Sequence, residues 1–228
     1  ERLGLASTSP QGVLFVGGQD WVVEAAQKLE ALGIPCLVVA RGYRDLTGAR
    51  RTGLNTVATN ILSDYAVRDI DLAGIGRLVA TTKNDEVNAT AAREFAHVLG
   101  KPNVYQLRRH DLDAVSSDEM ARRRHTAEHL TARTPFTPAL THHEMDARSD
   151  AGWRVVSTRL TETHPLERFY ETHTADAVCL FWIRDGKLTI PTEKAPPPDH
   201  GITLIALVPP KTEGDAAGAA AARTAEPS

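Results

Sequence analysis

Three short stretches hold the residues best suited to bind a small molecule: "VGGQD" at 16–20, "VARG" at 39–42 and "TTKND" at 81–85. The first follows an apolar run and opens an amphipathic pattern, the arrangement of a strand, turn and helix that receives phosphate. A dinucleotide fingerprint needs three glycines: one for the tight turn, one for backbone approach to pyrophosphate and one for helix–strand packing. Counted from Gly17 the three positions hold Gly17, Gln19 and Val22; counted from Gly18 they hold Gly18, Asp20 and Val23. Neither register is complete. What remains is the turn and a helix N-terminus, whose free N–H groups and dipole still favour an anion. The Asp20 carboxylate either satisfies those N–H groups itself or repels an arriving phosphate. Trp21, beside the turn, is expected to pack or to form an interface in preference to stacking on a base.

The second stretch ends the second strand, where an acidic residue would hold ribose hydroxyls. Ala40 and Arg41 stand there instead. Arg41 suits a phosphate, or it is a solvated surface side chain. The third stretch follows the fourth strand at the carboxyl edge of the sheet, where open α/β folds bind ligands. Thr81, Thr82 and Lys83 either face that crevice or serve as helix cap and exposed lysine.

Other chemistry is weakly represented. His125 and His129 share a helical face near Glu128, and His142 and His143 stand with Glu144 and Asp146 in a loop-rich stretch. No metal-site spacing links them, and there is no G-x-S-x-G elbow, P-loop or Cys–His pairing. No catalytic residue and no metal ligand is assigned. Cys36 and Cys179 lie in apolar runs, as reduced core residues of a cytosolic protein do. The 228 residues carry a net charge of −3, from 26 basic and 29 acidic side chains, so no global field selects nucleic acid or anionic membrane. No run approaches the ~18–20 apolar residues that cross a bilayer.

The elements that would position these residues are legible. Residues 12–110 alternate apolar runs with helical patterns, with strands expected at Val13–Gly17, Cys36–Ala40, Asn55–Thr59, Arg77–Thr81 and Asn103–Leu107. The first helix places Val22, Ala25, Ala26, Leu29 and Leu32 on one face, and Gly33 ends it. Another helix opens with Thr82 as cap and Asp85 answering it, and buries Val87, Ala91, Phe95, Val98 and Leu99. The expected fold is α/β: a Rossmann-like, doubly wound parallel sheet over 1–110. A connecting helix and linker follow over 111–151, then a small β-rich C-terminal domain over 152–210. In the latter "RDGK" marks a hairpin turn. The tail, 211–228, lacks apolar content and is expected to be disordered.

The run from "GVLFVGG" to "VYQLRR" resembles the N-terminal lobe of RCK (Trk-type, KTN) domains. It is most similar to the version behind the membrane part of bacterial monovalent cation:proton antiporters, through "NILSD", "DLAGIGRLVATTKNDEVNA" and "VYQL" in that order. "WRVVSTRLTE" and "GITLIALVPP" resemble the β-rich C-terminal part of the same proteins. The resemblance implies a non-catalytic regulatory domain that forms a homodimer and acts on a transmembrane antiporter domain at the cytoplasmic face of the membrane. A chain opening at Glu1 suits a domain separated from that membrane part. The family's nucleotide cleft then falls on Gly17, Gly18, Gln19, Asp20, Ala40, Arg41, Thr82 and Lys83. The ligand implied is an adenine nucleotide (AMP, ATP or NAD), with the missing glycines and missing acidic residue favouring a mononucleotide. The alternatives are an assembly module with an empty cleft and, less favoured, an NAD(P)-linked oxidoreductase.

Overall fold

The structure, a computed structural model, describes residues 9–110 and 132–210. The connecting helix expected before the linker, with His125 and His129, and the tail over 211–228 lie outside the described residues.

Five parallel strands form the first sheet: β1 (Gly12–Val16), β2 (Cys36–Ala40), β3 (Asn55–Ala58), β4 (Ile75–Ala80) and β5 (Val104–Gln106). Their order is β3-β2-β1-β4-β5. The crossovers carry α1 (Asp20–Ala31), α2 (Thr47–Arg51), α3 (Asp64–Asp69) and α4 (Asp85–Leu99). This is the expected doubly wound, Rossmann-like sheet, and its strand order reverses direction between β1 and β4. All five residues of β1 and of β2 are buried, because helices or strands cover both faces.

The helical stripes need two corrections. In α1, Val22, Ala25, Ala26 and Leu29 are buried, but Leu32 is the C-cap residue and 40% exposed. The chain turns away one residue later, at Gly33, whose φ of 79° suits the left-handed region. In α4 the buried face runs through Asn88, Ala91, Ala92 and Phe95, and Val98 falls off it at 53% exposure.

The second sheet is antiparallel, in the order β6-β9-β7-β8: β6 (Arg154–Leu160), β7 (Val178–Arg184), β8 (Lys187–Thr189) and β9 (Ile202–Val208). Asp185 and Gly186 make the β7–β8 turn with φ of 51° and 74°, the left-handed pair that a two-residue hairpin requires. Two more helices lie in this half, α5 (His142–Asp150) and α6 (Leu166–His173). The linker expectation over 111–151 is therefore corrected for residues 142–150. A capping box nucleates that helix: Thr141 Oγ1 accepts from the Glu144 N–H, and the Glu144 carboxylate accepts from the Thr141 N–H at 2.7 Å. Only Met145 of α5 is buried, so no apolar stripe advertises the helix.

The two sheets share one core. Phe181 of β7 meets Phe15 of β1 edge-on at 6.0 Å and Phe136 at 5.7 Å, and Phe136 meets Trp21 of α1 at 5.9 Å. Polar ties flank this seam. Glu24 of α1 accepts from the Val155 N–H at 2.7 Å. Gln11 Oε1 accepts from the Leu188 N–H at 2.8 Å, and Arg77 donates to the Leu188 carbonyl at 2.8 Å. The second sheet thus covers part of the α1 face of the first.

Candidate functional site

The carboxyl ends of β1 to β4 surround a cleft of about 540 Å³, within the range of small-molecule sites. It lies at the reversal of strand order. Gly17, Gly18, Gln19, Ala40, Arg41, Thr82 and Lys83 all stand in its walls. Asp20 does not. It is exposed, and the first turn of α1 has no side-chain cap, so the internal-cap reading of Asp20 is corrected as well. Trp21 is buried and packed edge-on against Phe136, which makes it a core residue.

The two glycines serve the protein's own chain. Gly17 has a φ of 124°, and a Cβ there would collide with Thr81 Oγ1 and Gln19 Oε1. A Cβ on Gly18 would run into the backbone carbonyl of Asp45. That carbonyl belongs to a 3-10 turn, Arg44–Leu46, which follows β2 and closes over the β1 turn. The Gly17 N–H donates to the Val39 carbonyl at 2.8 Å, tying the turn to β2 as well.

Gln19 occupies the position of the second fingerprint glycine, and its side chain reaches β4. Its Nε2 donates to the Thr81 carbonyl at 2.7 Å, and its Oε1 lies 3.0 Å from Thr81 Oγ1. Thr81 is fully buried and bonds inward to Gln19 and to the Val16 carbonyl, so the expectation that it faces the crevice is corrected. Gln19 Nε2 is also 3.0 Å from His142 Nε2, while His142 Nδ1 is 3.3 Å from Asp146. An imidazole protonated at Nδ1 fits both contacts, donating to the carboxylate and accepting from the amide.

Thr82 caps nothing. Its hydroxyl donates to Asn88 Oδ1 at 2.7 Å, and the cap of α4 is Asn84, whose Oδ1 accepts from the N–H groups of Glu86 and Val87. Two residues on, the asparagine reaches the first-turn donors that Thr82 is too far back to reach.

Electrostatically the cleft is mixed. Arg41 and Lys83 flank it exposed, and neither has an ion-pair partner among the described residues. Asp45 lines the same rim. Burial pushes the Asp146 carboxyl above its ordinary value and the Asp150 charge adds to this, while His142 pulls it back. The Trp21 indole N–H also favours the charged carboxylate, though it makes no hydrogen bond of ordinary geometry. Glu144 behaves oppositely. Burial works against its charge, but the Thr141 N–H and hydroxyl and the Arg108 guanidinium outweigh burial and hold it below the usual range. It is committed to α5 and Arg108, His143 is exposed, and no three His, Cys, Asp or Glu side chains converge as metal ligands among the described residues. Cys36 and Cys179 are buried free thiols, both pushed up chiefly by burial.

Among the wall residues that escape the sequence pattern are Asp45, Asn60, His142 and Asp146. Asp45 is an acidic residue on the rim, four positions beyond Arg41 and in a turn rather than at the end of β2. His142 and Asp146 reach the cleft only because α5 is a helix, and the T-x-x-E box at 141–144 was the available signal.

No protein-family model matches the chain, and no curated protein is similar to it in sequence. Among solved structures it is similar to the NAD(P)-binding domain of an exopolyphosphatase-related protein from Archaeoglobus fulgidus, at 17% identity and a TM-score of 0.41. That match covers 61% of this chain and 96% of the other. It is also similar to the GsuK channel bound to NAD, at 11% identity and a TM-score of 0.43, covering 90% of this chain and 38% of the channel. The GsuK RCK domain aligns at 15% identity and a TM-score of 0.38, covering 95% of this chain and 47% of that one. This chain spans less than half of either GsuK structure. Likenesses of this strength carry no argument about function; the Rossmann-like assignment rests on strand order and crossovers.

Proposed function

We propose that this chain is a non-catalytic regulatory domain of RCK type, that its cleft takes an adenine nucleotide, and that a homodimer passes the bound state to the membrane part of a monovalent cation:proton antiporter. One observation carries the nucleotide reading: a cleft at the strand-order reversal is flanked by two cations, Arg41 and Lys83, that have no ion-pair partner among the described residues. The uncapped first turn of α1 beside it leaves N–H groups for a phosphate. Apolar Val39, Ala40 and Ile61 offer a wall for a base. The RCK and antiporter assignments are supported by the sequence resemblance through "DLAGIGRLVATTKNDEVNA". No helix among the described residues is long and apolar enough to cross a membrane, so a membrane part would lie elsewhere in the protein. Regulation then works by population shift. A ligand that binds two arrangements of the dimer unequally moves the balance between them, and one that binds them equally moves nothing.

The test is thermal unfolding against AMP, ADP, ATP, NAD, NADH and NADPH. A ligand at a hundredfold excess over its dissociation constant adds about 2.7 kcal/mol. For a chain of this size that raises Tm by roughly 5–11 °C. Arg41→Glu and Lys83→Glu should each remove most of the shift while leaving the unliganded Tm within a degree or two. A flat panel for the native chain refutes the nucleotide reading. It would favour the empty assembly module, which has its own supporting observation: the Asp45 carbonyl packs against Gly18 and the Gln19 side chain bonds to Thr81, so the protein's own chain engages the turn.

A further inference from the structure

We infer that Gln19 restricts this cleft to mononucleotides by barring the path a dinucleotide's pyrophosphate would take across β1. The inference rests on the cleft being a nucleotide site, and it names the ligand class. In a Rossmann-type sheet the two nucleosides of a dinucleotide lie on opposite sides of the strand-order reversal. The pyrophosphate joining them passes over the turn after β1, close against the second glycine of the fingerprint. Here that position carries a side chain, and the side chain is held across the gap.

The hold is specific. Gln19 Nε2 donates to the Thr81 carbonyl at 2.7 Å and lies 3.0 Å from His142 Nε2, and Oε1 faces the Thr81 hydroxyl at 3.0 Å. Turned over, the amide would set its oxygen against the Thr81 carbonyl, acceptor against acceptor, so one orientation is fixed. Thr81 is fully buried in the sheet and cannot follow a displaced Gln19. On the far side His142 is steadied by Asp146 at 3.3 Å. The amide therefore bridges the β1 turn, the end of β4 and the N-terminus of α5, with no backbone change needed to explain the obstruction. The cleft extends on the β2–β3 side of the amide to Arg41, Asn60 and Ile61, and on the β4 side to Lys83, Asn84 and Val87. A nucleoside with its phosphates fits the β2–β3 side, with its phosphates ending at the Gly17–Gly18 turn. A second nucleoside would have to pass through the Gln19 amide.

NAD contains the AMP unit, so the two ligands differ by the half that the inference excludes. Isothermal titration of AMP, ATP and NAD would be run on the native chain, on Gln19→Gly and on His142→Ala. Gln19→Gly supplies the second fingerprint glycine; His142→Ala frees the amide without altering the turn, and serves if the glycine variant fails to fold. The native chain should bind AMP or ATP and take NAD more weakly. Either variant should lower the ratio of NAD to mononucleotide dissociation constants by roughly tenfold or more. Native-chain affinity for NAD equal to that for AMP and ATP overturns the inference. So does an unchanged ratio in a folded variant. Absence of binding by every ligand to all three proteins overturns the nucleotide site itself, and the filter with it. Mononucleotide binding with no change in selectivity sinks the filter alone.

Discussion

Replacing Phe181 tests whether the two sheets form one cooperative unit. Its ring is fully buried and meets Phe15 and Phe136 edge-on, at 6.0 and 5.7 Å. Phe181→Leu keeps most of the apolar volume but loses both ring contacts, at about 0.5–1.5 kcal/mol each. A loss of about 1–3 kcal/mol lowers Tm by roughly 2–12 °C in a chain of this size. Phe181→Ala also leaves a cavity between the sheets, costing about 3–5 kcal/mol, or roughly 6–20 °C. Differential scanning calorimetry gives the total. Tryptophan fluorescence reports on both halves, because Trp21 lies in the first and Trp182 in the second. A single transition should move downward as a whole. Two transitions in the leucine variant, one of them at the native Tm, would refute the shared core. So would an alanine variant that loses less than about 1 kcal/mol, given its complete burial.

Asn84→Ala removes the acceptor of two first-turn N–H groups in α4 and should cost about 0.5–2 kcal/mol by urea unfolding. Glu144 is held below its usual range, so the stability it contributes is complete above the ordinary carboxylate pKa and is lost as pH falls through the lower folded value. Thermal melts from neutral to acid pH should therefore fall less steeply for Glu144→Gln than for the native chain. Asp146, held above its range, has the opposite dependence in both proteins and cancels from the comparison. The two buried thiols should stay unreactive toward a thiol reagent until the chain unfolds; labelling of either in the folded protein would contradict its burial.

The first sheet was legible because each strand is a short apolar run set between helix-period patterns. Cys36–Ala40 is found where expected, and the other four strands differ from expectation only at their ends, β4 starting two residues earlier at Ile75. Such ends depend on where the next turn's hydrogen bonds begin, as at Thr81, whose N–H still donates to the Val16 carbonyl one residue past β4. The hairpin at Asp185–Gly186 was equally plain, since only certain residues accept that backbone. What escaped was nonlocal or lacked a long stripe. α5 is held by one capping box and by Arg108, which pairs with Glu144 at 3.0 Å from 36 residues away. α6 does carry a stripe, Leu166, Phe169 and Tyr170, but on only eight residues, of which Phe169 alone is fully buried. For the site, the glycine spacing correctly signalled a departure from the fingerprint at position 19. It could not say that Gln19 would be engaged by His142, 123 residues on. Nor could it say that Gly18 answers to a carbonyl of its own chain.

The shared core also fixes an order of events in time. Gln11 finds its partner at Leu188, 177 residues later, and Glu24 finds Val155 after 131. At about 5–20 residues per second of synthesis, Gln11 waits roughly 10–35 s for β8 to be made. Local βα units can close in that interval, but the part of the first sheet that receives Phe181 stays uncovered. During synthesis the apolar residues of that face are open to neighbouring chains, and the hazard ends only when the last strands arrive to cover them.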